Sequence, residues 1–222
     1  MKSSDHEGFR VPFPVTIDGG DIVLRELCEQ DLPPLTRLYT DPELTQFMGF
    51  DKLATSEVPD ALQAHLAAAR RTPRTQYTLA ITVDGSPDLV GVVRLLVEEY
   101  GRNAMLGGLI VIPESSGVGR GVTASRLLMA YGFGPLALHR IWGGRRTDYL
   151  RMHERMTRLG LVQEGFMREL FHTHGVWHDV VSYSVLAHEW KPDGPEVSIM
   201  ESTVPAALSA SGPAGLVWKE DR

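Results

Sequence analysis

The residues with most chemical potential lie between positions 106 and 131. An apolar run and Pro113 lead into Ser116, Gly117, Val118, Gly119, Arg120, Gly121 and Val122, and a segment rich in helix formers follows. Glycine tolerates positive φ and has no side chain to block approach, so this turn can aim several backbone N–H groups into one space. The four free N–H groups of the following helix, and the positive end of its dipole, face the same place. Such an arrangement binds a diphosphate. An ordinary helix start needs a similar turn, so the spacing alone leaves both readings open. Two rival phosphate motifs fail. A Walker loop requires Gly-Lys-Ser/Thr, which is absent after these glycines. The dinucleotide fingerprint requires Gly-x-Gly-x-x-Gly early in the chain, whereas these glycines fall mid-chain behind antiparallel-looking strands.

The turn has to be held by a strand over 104–112 and a helix over 123–131. Gly107 and Gly108 inside that strand mark a bulge or a place of close backbone approach. Further strands are expected over 22–27, 77–83 and 89–99, with turns at 84–87 and 100–103. Asp31 stands at a helix N-cap ahead of Leu35, Leu38 and Tyr39. Ser56 is expected to cap a second helix over 56–71, where Ala61, Leu62, His65, Leu66 and Ala69 recur at helical spacing. Downstream, a strand at 140–142 precedes a helix over 150–159 that Gly160 ends. Two strands, 163–171 and 178–186, then join around His174 and Gly175. Residues 1–21 read as an N-terminal extension and 22–190 as one domain. Residues 191–222, rich in Pro, Ala, Ser and Gly, read as a low-complexity tail outside the core.

Composition narrows the function classes. The chain has 222 residues, 43% hydrophobic and 23% charged, with a formal charge of −6. That balance suits a soluble domain and disfavours tight binding to nucleic acid or anionic membrane, which need a cationic surface. Cys28 is the single cysteine, so there is no internal disulfide and no thiolate metal cluster. His172, His174 and His178 lie close in sequence, but without a carboxylate-rich scaffold beside them they read as solvent-facing imidazoles, and no metal is expected. Neither a signal peptide nor a membrane helix is visible, so a cytoplasmic location is expected.

The order of elements across 22–190 resembles the GNAT superfamily of N-acetyltransferases. The family's coenzyme-A signature, Arg/Gln-x-x-Gly-x-Gly/Ala, is matched at Ser116, Gly117, Val118, Gly119, Arg120 and Gly121, without the leading Arg or Gln. The stretch from Leu150 to Leu161, then Glu164, Gly165, Phe166, Met167, Arg168 and Glu169, is similar to the ribosomal-protein-serine/alanine acetyltransferase branch. So are the run from His174 to Val180 and the pair Glu189 and Trp190.

The resemblance implies an α+β fold: a mixed, mostly antiparallel twisted sheet flanked by about four helices. It also implies acetyl-CoA as co-substrate and direct attack by an amine on its thioester. The cofactor arm would run along Leu109, Ile110 and Val111, with the diphosphate on Gly117, Val118, Gly119, Arg120, Gly121 and Val122. A backbone N–H at Leu109 or Ile110 would hold the thioester carbonyl, and Gly107 and Gly108 would keep the strand open to the cofactor. Glu98, Glu99 and Glu114 are the candidate bases. The family's usual tyrosine acid is replaced by Met156, which leaves Tyr149 as the candidate proton donor. Phe47, Met48 and Phe50 fall where the family shapes its acceptor pocket. Expected partners are an amine on a small molecule, a peptide or a protein N-terminus, and a second copy as one option for a homodimer, with no nucleic acid and no membrane. The alternatives are a non-catalytic CoA-binding sensor, or an enzyme using another acyl-CoA.

Overall fold

The protein is described by a computed structural model covering residues 13–83, 85–98, 102–116, 119–192 and 198–201. Glu99, Gly117 and Val118 lie outside the described residues. Alternating burial starts the chain: Val15 and Ile17 of β1 (Val15–Asp18) and Ile22 and Leu24 of β2 (Ile22–Glu26) all point into one core. A strand with alternate apolar residues buries one face of the sheet. β3 (Gln76–Val83) and β4 (Leu89–Val97) are instead buried almost throughout, because helices cover both faces there. β5 (Asn103–Val111), β6 (Arg140–Arg146), β7 (Val162–Thr173), β8 (Val176–Leu186) and β9 (Ser198–Glu201) complete a nine-stranded sheet. Its order is β7-β8-β6-β5-β4-β3-β2-β1-β9. Every neighbouring pair is antiparallel except β5 and β6.

α1 (Leu32–Thr40), the single turn α2 (Pro42–Thr45) and α3 (Val58–Ala69) lie on one face. Leu35, Leu38, Leu62 and Leu66 meet Ala80, Val92 and Ile110 there. α4 (Pro113–Ser116) is another single turn, and α5 (Arg120–Phe133) and α6 (Arg151–Arg158) follow it. On the opposite face Leu127, Leu128, Tyr131 and Met156 pack on Tyr77, Leu79, Val93 and Leu95. No described helix is long and apolar enough to cross a membrane.

Several local readings change. Ser56 does not cap α3: a 3-10 turn, Thr55–Glu57, precedes the helix, and the Glu57 carboxylate accepts from the Ala54 amide at 2.7 Å. Asp31 does precede α1, but its carboxylate is paired with Arg25 at 2.8 Å instead of capping. Pro113 opens α4 as well as ending β5, since a first-turn proline loses no helical hydrogen bond. α5 begins three residues earlier than the helix formers suggest, with Gly119 in a left-handed conformation (φ 74°) before it. β1 lies in the segment read as an extension and β9 in the segment read as a tail, and Thr16 pairs Met200 in register. Edge pairing is made by backbone groups, so it leaves little trace in composition.

Candidate active site

The sheet opens where its one parallel pair stops. Asn103, Ala104 and Met105 pair with Arg140, Ile141 and Trp142; after that β5 continues along β4 and β6 along β8. Gly143 stands where the strands part. A Cβ there would lie 2.9 Å from the Leu106 carbonyl oxygen, so any larger residue would push β6 off β5.

A bulge in β5 sets which backbone groups face the opening. The β4–β5 register shifts between Val92 and Arg94, and Gly108 in the bulge has φ 58°. Beyond it the Ile110 carbonyl lies 2.6 Å from where a Gly91 Cβ would be, and the Ile112 amide donates to Val90. N–H and C=O of one residue point to the same side of an antiparallel ladder. Ile110 therefore bonds to β4, while Leu109 and Val111 turn their amides toward the opening. Of the two amides expected to hold a carbonyl, only that of Leu109 faces it.

Two adjoining cavities fill the space. One, of about 570 Å3, is bounded by Leu109, Ile110, Val111 and the α5 start at Gly119, Gly121 and Val122. Nothing lies within 4 Å of where a Gly119 Cβ would be, and a Cβ at Gly121 would touch the Leu109 side chain at 3.2 Å. The cradle is thus open at Gly119 and tight at Gly121. As first-turn amides, the N–H groups of Arg120 and Gly121 have no intrahelical acceptor. The Arg120 side chain folds back onto the Ser115 carbonyl at 3.2 Å. The second cavity, of about 450 Å3, has Met48, Phe50 and Leu53 on one wall and Met105, Trp142 and Met156 on another.

Tyr149 and Phe47 border both cavities. Their rings stack face to face, with centroids 4.1 Å apart and planes within 5°. Arg146 fixes both sides of this contact. It pairs with Asp148 at 2.5 Å, donates to the Gln46 carbonyl at 2.7 Å, and lies 5.6 Å from the Phe47 ring centre.

Of the three expected carboxylates, the two that are described, Glu98 and Glu114, stand elsewhere. Glu98 accepts from the Trp142 indole N–H at 2.6 Å and borders neither cavity. Glu114 is exposed and paired with Arg37 at 2.6 Å. Its own backbone amide and Arg37 hold its carboxyl below the usual range. Among the described residues no Asp or Glu lines the second cavity. Nor is any group of three or more metal-ligating side chains found among them. His172 packs on Trp177, His174 approaches Asp51 at 3.6 Å, and His178 reaches the Thr173 carbonyl at 3.2 Å.

In place of a carboxylate, the α1/α3 wall of the second cavity carries a polar chain that sequence reasoning missed. Gln76 Nε2 lies 3.1 Å from Thr78 Oγ1 and 2.9 Å from His65 Nδ1, and His65 Nε2 lies 3.2 Å from the Tyr39 hydroxyl. With the Gln76 amide donating, His65 Nδ1 accepts and Nε2–H donates to Tyr39. Burial, with the positive charge of Arg94, depresses His65 to about 4, so the imidazole is neutral at pH 7. Burial raises the Tyr39 phenol. Each of these residues reads singly as core filling; only the fold assembles them.

A sequence model described as "Acetyltransferase (GNAT) domain" matches residues 21–162. The chain belongs to the GNAT acetyltransferase family. It is 23% identical over 176 residues to the uncharacterized N-acetyltransferase YoaA of Bacillus subtilis, covering 78% of this chain and 97% of that one. It is 32% identical over 109 residues to the putative ribosomal N-acetyltransferase YdaF of the same organism, covering 49% and 58%. The fold is similar to that of spermidine N-acetyltransferase from Vibrio cholerae in complex with CoA and spermine. That match has TM-score 0.67 and 21% identity and covers 76% of this GNAT chain and 97% of the other. The branch expected from the Glu164 to Glu169 region is represented in the YdaF match.

Proposed function

We propose that the protein is an acetyl-CoA-dependent N-acetyltransferase whose acceptor is an amine. The observation that carries this is the parting of β5 and β6, which turns the Leu109 and Val111 backbone outward along a groove ending at the α5 N-terminus. The residues present fit the co-substrate: an extended arm can add to β5 as a strand would, and diphosphate oxygens can approach the Arg120 and Gly121 amides over Gly119. Arg120 is tied to Ser115, so backbone groups rather than its guanidinium supply the main donors. Bound there, acetyl-CoA supplies an activated acyl group.

The chain's own groups divide the remaining work. The Leu109 N–H donates to the carbonyl oxygen as charge gathers on it, a preorganised contribution of the kind that dominates acyl transfer. Tyr149, at the junction of the two cavities, holds a proton for the departing sulfur. The neutral His65 fixes the Tyr39 hydroxyl, whose own proton is left to orient the acceptor. With no Asp or Glu among the described residues lining the second cavity, the amine gives its proton to water in the open cleft. Phe47, Met48 and Phe50 give the reacting groups an apolar wall. The working unit spans residues 22–190, extended by β1 and β9, and a cytoplasmic location belongs to the same proposal.

The test is thiol release from acetyl-CoA by the purified full chain with a panel of amines, alongside calorimetry with CoA. CoA should bind, and thiol release should depend on the amine. Binding without turnover on any amine would favour a CoA sensor. Absence of binding would refute the reading.

A further inference from the structure

We propose that the acceptor is a small amine bearing a carboxylate, an amino acid with an apolar side chain, whose carboxylate is held by Arg94. This rests on the acetyltransferase reading and names the substrate class of the same site. Arg94 lies on β4 opposite Thr78 and Gly107, on the face that α1 and α3 cover. It borders the acceptor-side cavity and not the cavity at the α5 N-terminus, so it stands apart from the diphosphate cradle. Gly108 makes room for it: a Cβ there would sit 3.3 Å from the Arg94 Nε. Of the two glycines marked in the sequence as a close approach, Gly108 makes one, to the Arg94 side chain; a Cβ at Gly107 would meet only the Met105 methyl at 3.8 Å.

Two observations point to an anionic ligand. The Arg94 Nε is buried without a hydrogen-bond partner, and the guanidinium has no ion pair among the described residues. Of the other arginines lining the cavity, Arg146 is paired with Asp148, Arg145 donates to the Tyr183 hydroxyl at 2.9 Å, and Arg155 stands where both cavities meet, with no buried unpartnered nitrogen. A buried, unpaired guanidinium N–H is costly, and the Nε itself is closed to the cavity, so a planar carboxylate would take the Nη side of the fork, which no described side chain pairs. The charge balance agrees. Described charged side chains lining the cavity are Arg94, Arg145, Arg146 and Arg155, with His65 neutral at pH 7 and no acid. Asp148 offsets Arg146 alone, so a polycationic amine would meet net repulsion from Arg94, Arg145 and Arg155.

Size and lining select further. The cavity, about 450 Å3, also has to take the acyl end of the co-substrate, which leaves room for a small acceptor. Phe50 and Leu53 offer it an apolar wall, and the Tyr39 hydroxyl a polar contact.

The experiment measures thiol release with matched acceptors: leucine, leucinamide and isopentylamine, and phenylalanine with its amide and phenethylamine. Spermidine is the polycationic arm. The wild-type chain should prefer the acids over their amides about ten- to hundredfold in kcat/KM, the usual range for a charge-assisted contact. Arg94→Gln should erase that preference, mainly through KM, and Arg94→Lys should restore part of it. Amides, simple amines or spermidine used as well as the acids by the wild-type chain would overturn the proposal. So would an unchanged preference in Arg94→Gln. If no amine is turned over, the acyl-transfer reading is what fails. Calorimetry of leucine and leucinamide with the CoA-loaded chain then decides the anion site: leucine binding lost in Arg94→Gln supports it, and equal binding of acid and amide overturns it.

Discussion

Replacing Tyr149 by phenylalanine separates the two things its side chain can do. The ring is stacked on Phe47 at 4.1 Å and borders both cavities, and phenylalanine keeps that ring. Packing should therefore change little, and only the O–H is removed. Proton transfer by a positioned side chain contributes about 10²–10⁴-fold. Tyr149→Phe should lower kcat by about 100-fold or more while the KM for acetyl-CoA stays within about twofold. Tyr149→Ala also loses the stack, worth about 0.5–1.5 kcal/mol beyond area burial, and so about two- to twelvefold. Its extra defect should appear in KM, because the wall shared by both cavities is gone. Steady-state thiol release with saturating acceptor measures both. Full kcat in Tyr149→Phe would refute the proton-donor role, leaving Tyr149 as a wall of the cleft.

Acid should destabilise the fold through His65. Its folded pKa is about 4 against an ordinary 6.5, so the unfolded chain takes up a proton that the folded one resists. Stability is complete above about pH 6.5 and declines as pH falls toward 4, by about 2–3 kcal/mol from this residue. Urea unfolding at pH 7 and 4.5 should show that loss, and His65→Gln should flatten it; an equal slope in the variant would contradict the assignment. Gly143→Ala puts a methyl 2.9 Å from the Leu106 oxygen, a clash expected to cost about 1–3 kcal/mol. It should also raise the KM for acetyl-CoA, whereas an unaltered Tm and KM would show that the strands are not held by this contact.

The groove was legible from residues 106 to 131 because its needs are local. A diphosphate cradle requires small residues at a helix start, and those can be counted along a chain. The helix faces were legible for the same reason: Leu35, Leu38, Leu62 and Leu66 keep the spacing that burial imposes. The interior chemistry was not legible. Arg94 interrupts an apolar strand, His65 sits among alanines and leucines, and Gln76 begins a strand. No spacing within one element signals that three elements bring them together. Glu98 and Glu114 stand near strand ends, where a base could face the cleft, but their partners Trp142 and Arg37 lie 44 and 77 residues away along the chain. Which amide of β5 faces outward was equally hidden, since one bulge residue reverses that assignment for everything after it.

The short β5–β6 ladder has a mechanical side. Three residue pairs join the two parts of the sheet, whereas β3 and β4 are joined by seven. The domain therefore resembles two slabs fastened along a brief seam, with Leu138, Ile141 and the α5 side chains wedged behind it. Whatever lies in the gap bridges slabs that backbone bonds leave separate. An occupant that supplies the missing rungs would act as a strut, stiffening the domain as a whole.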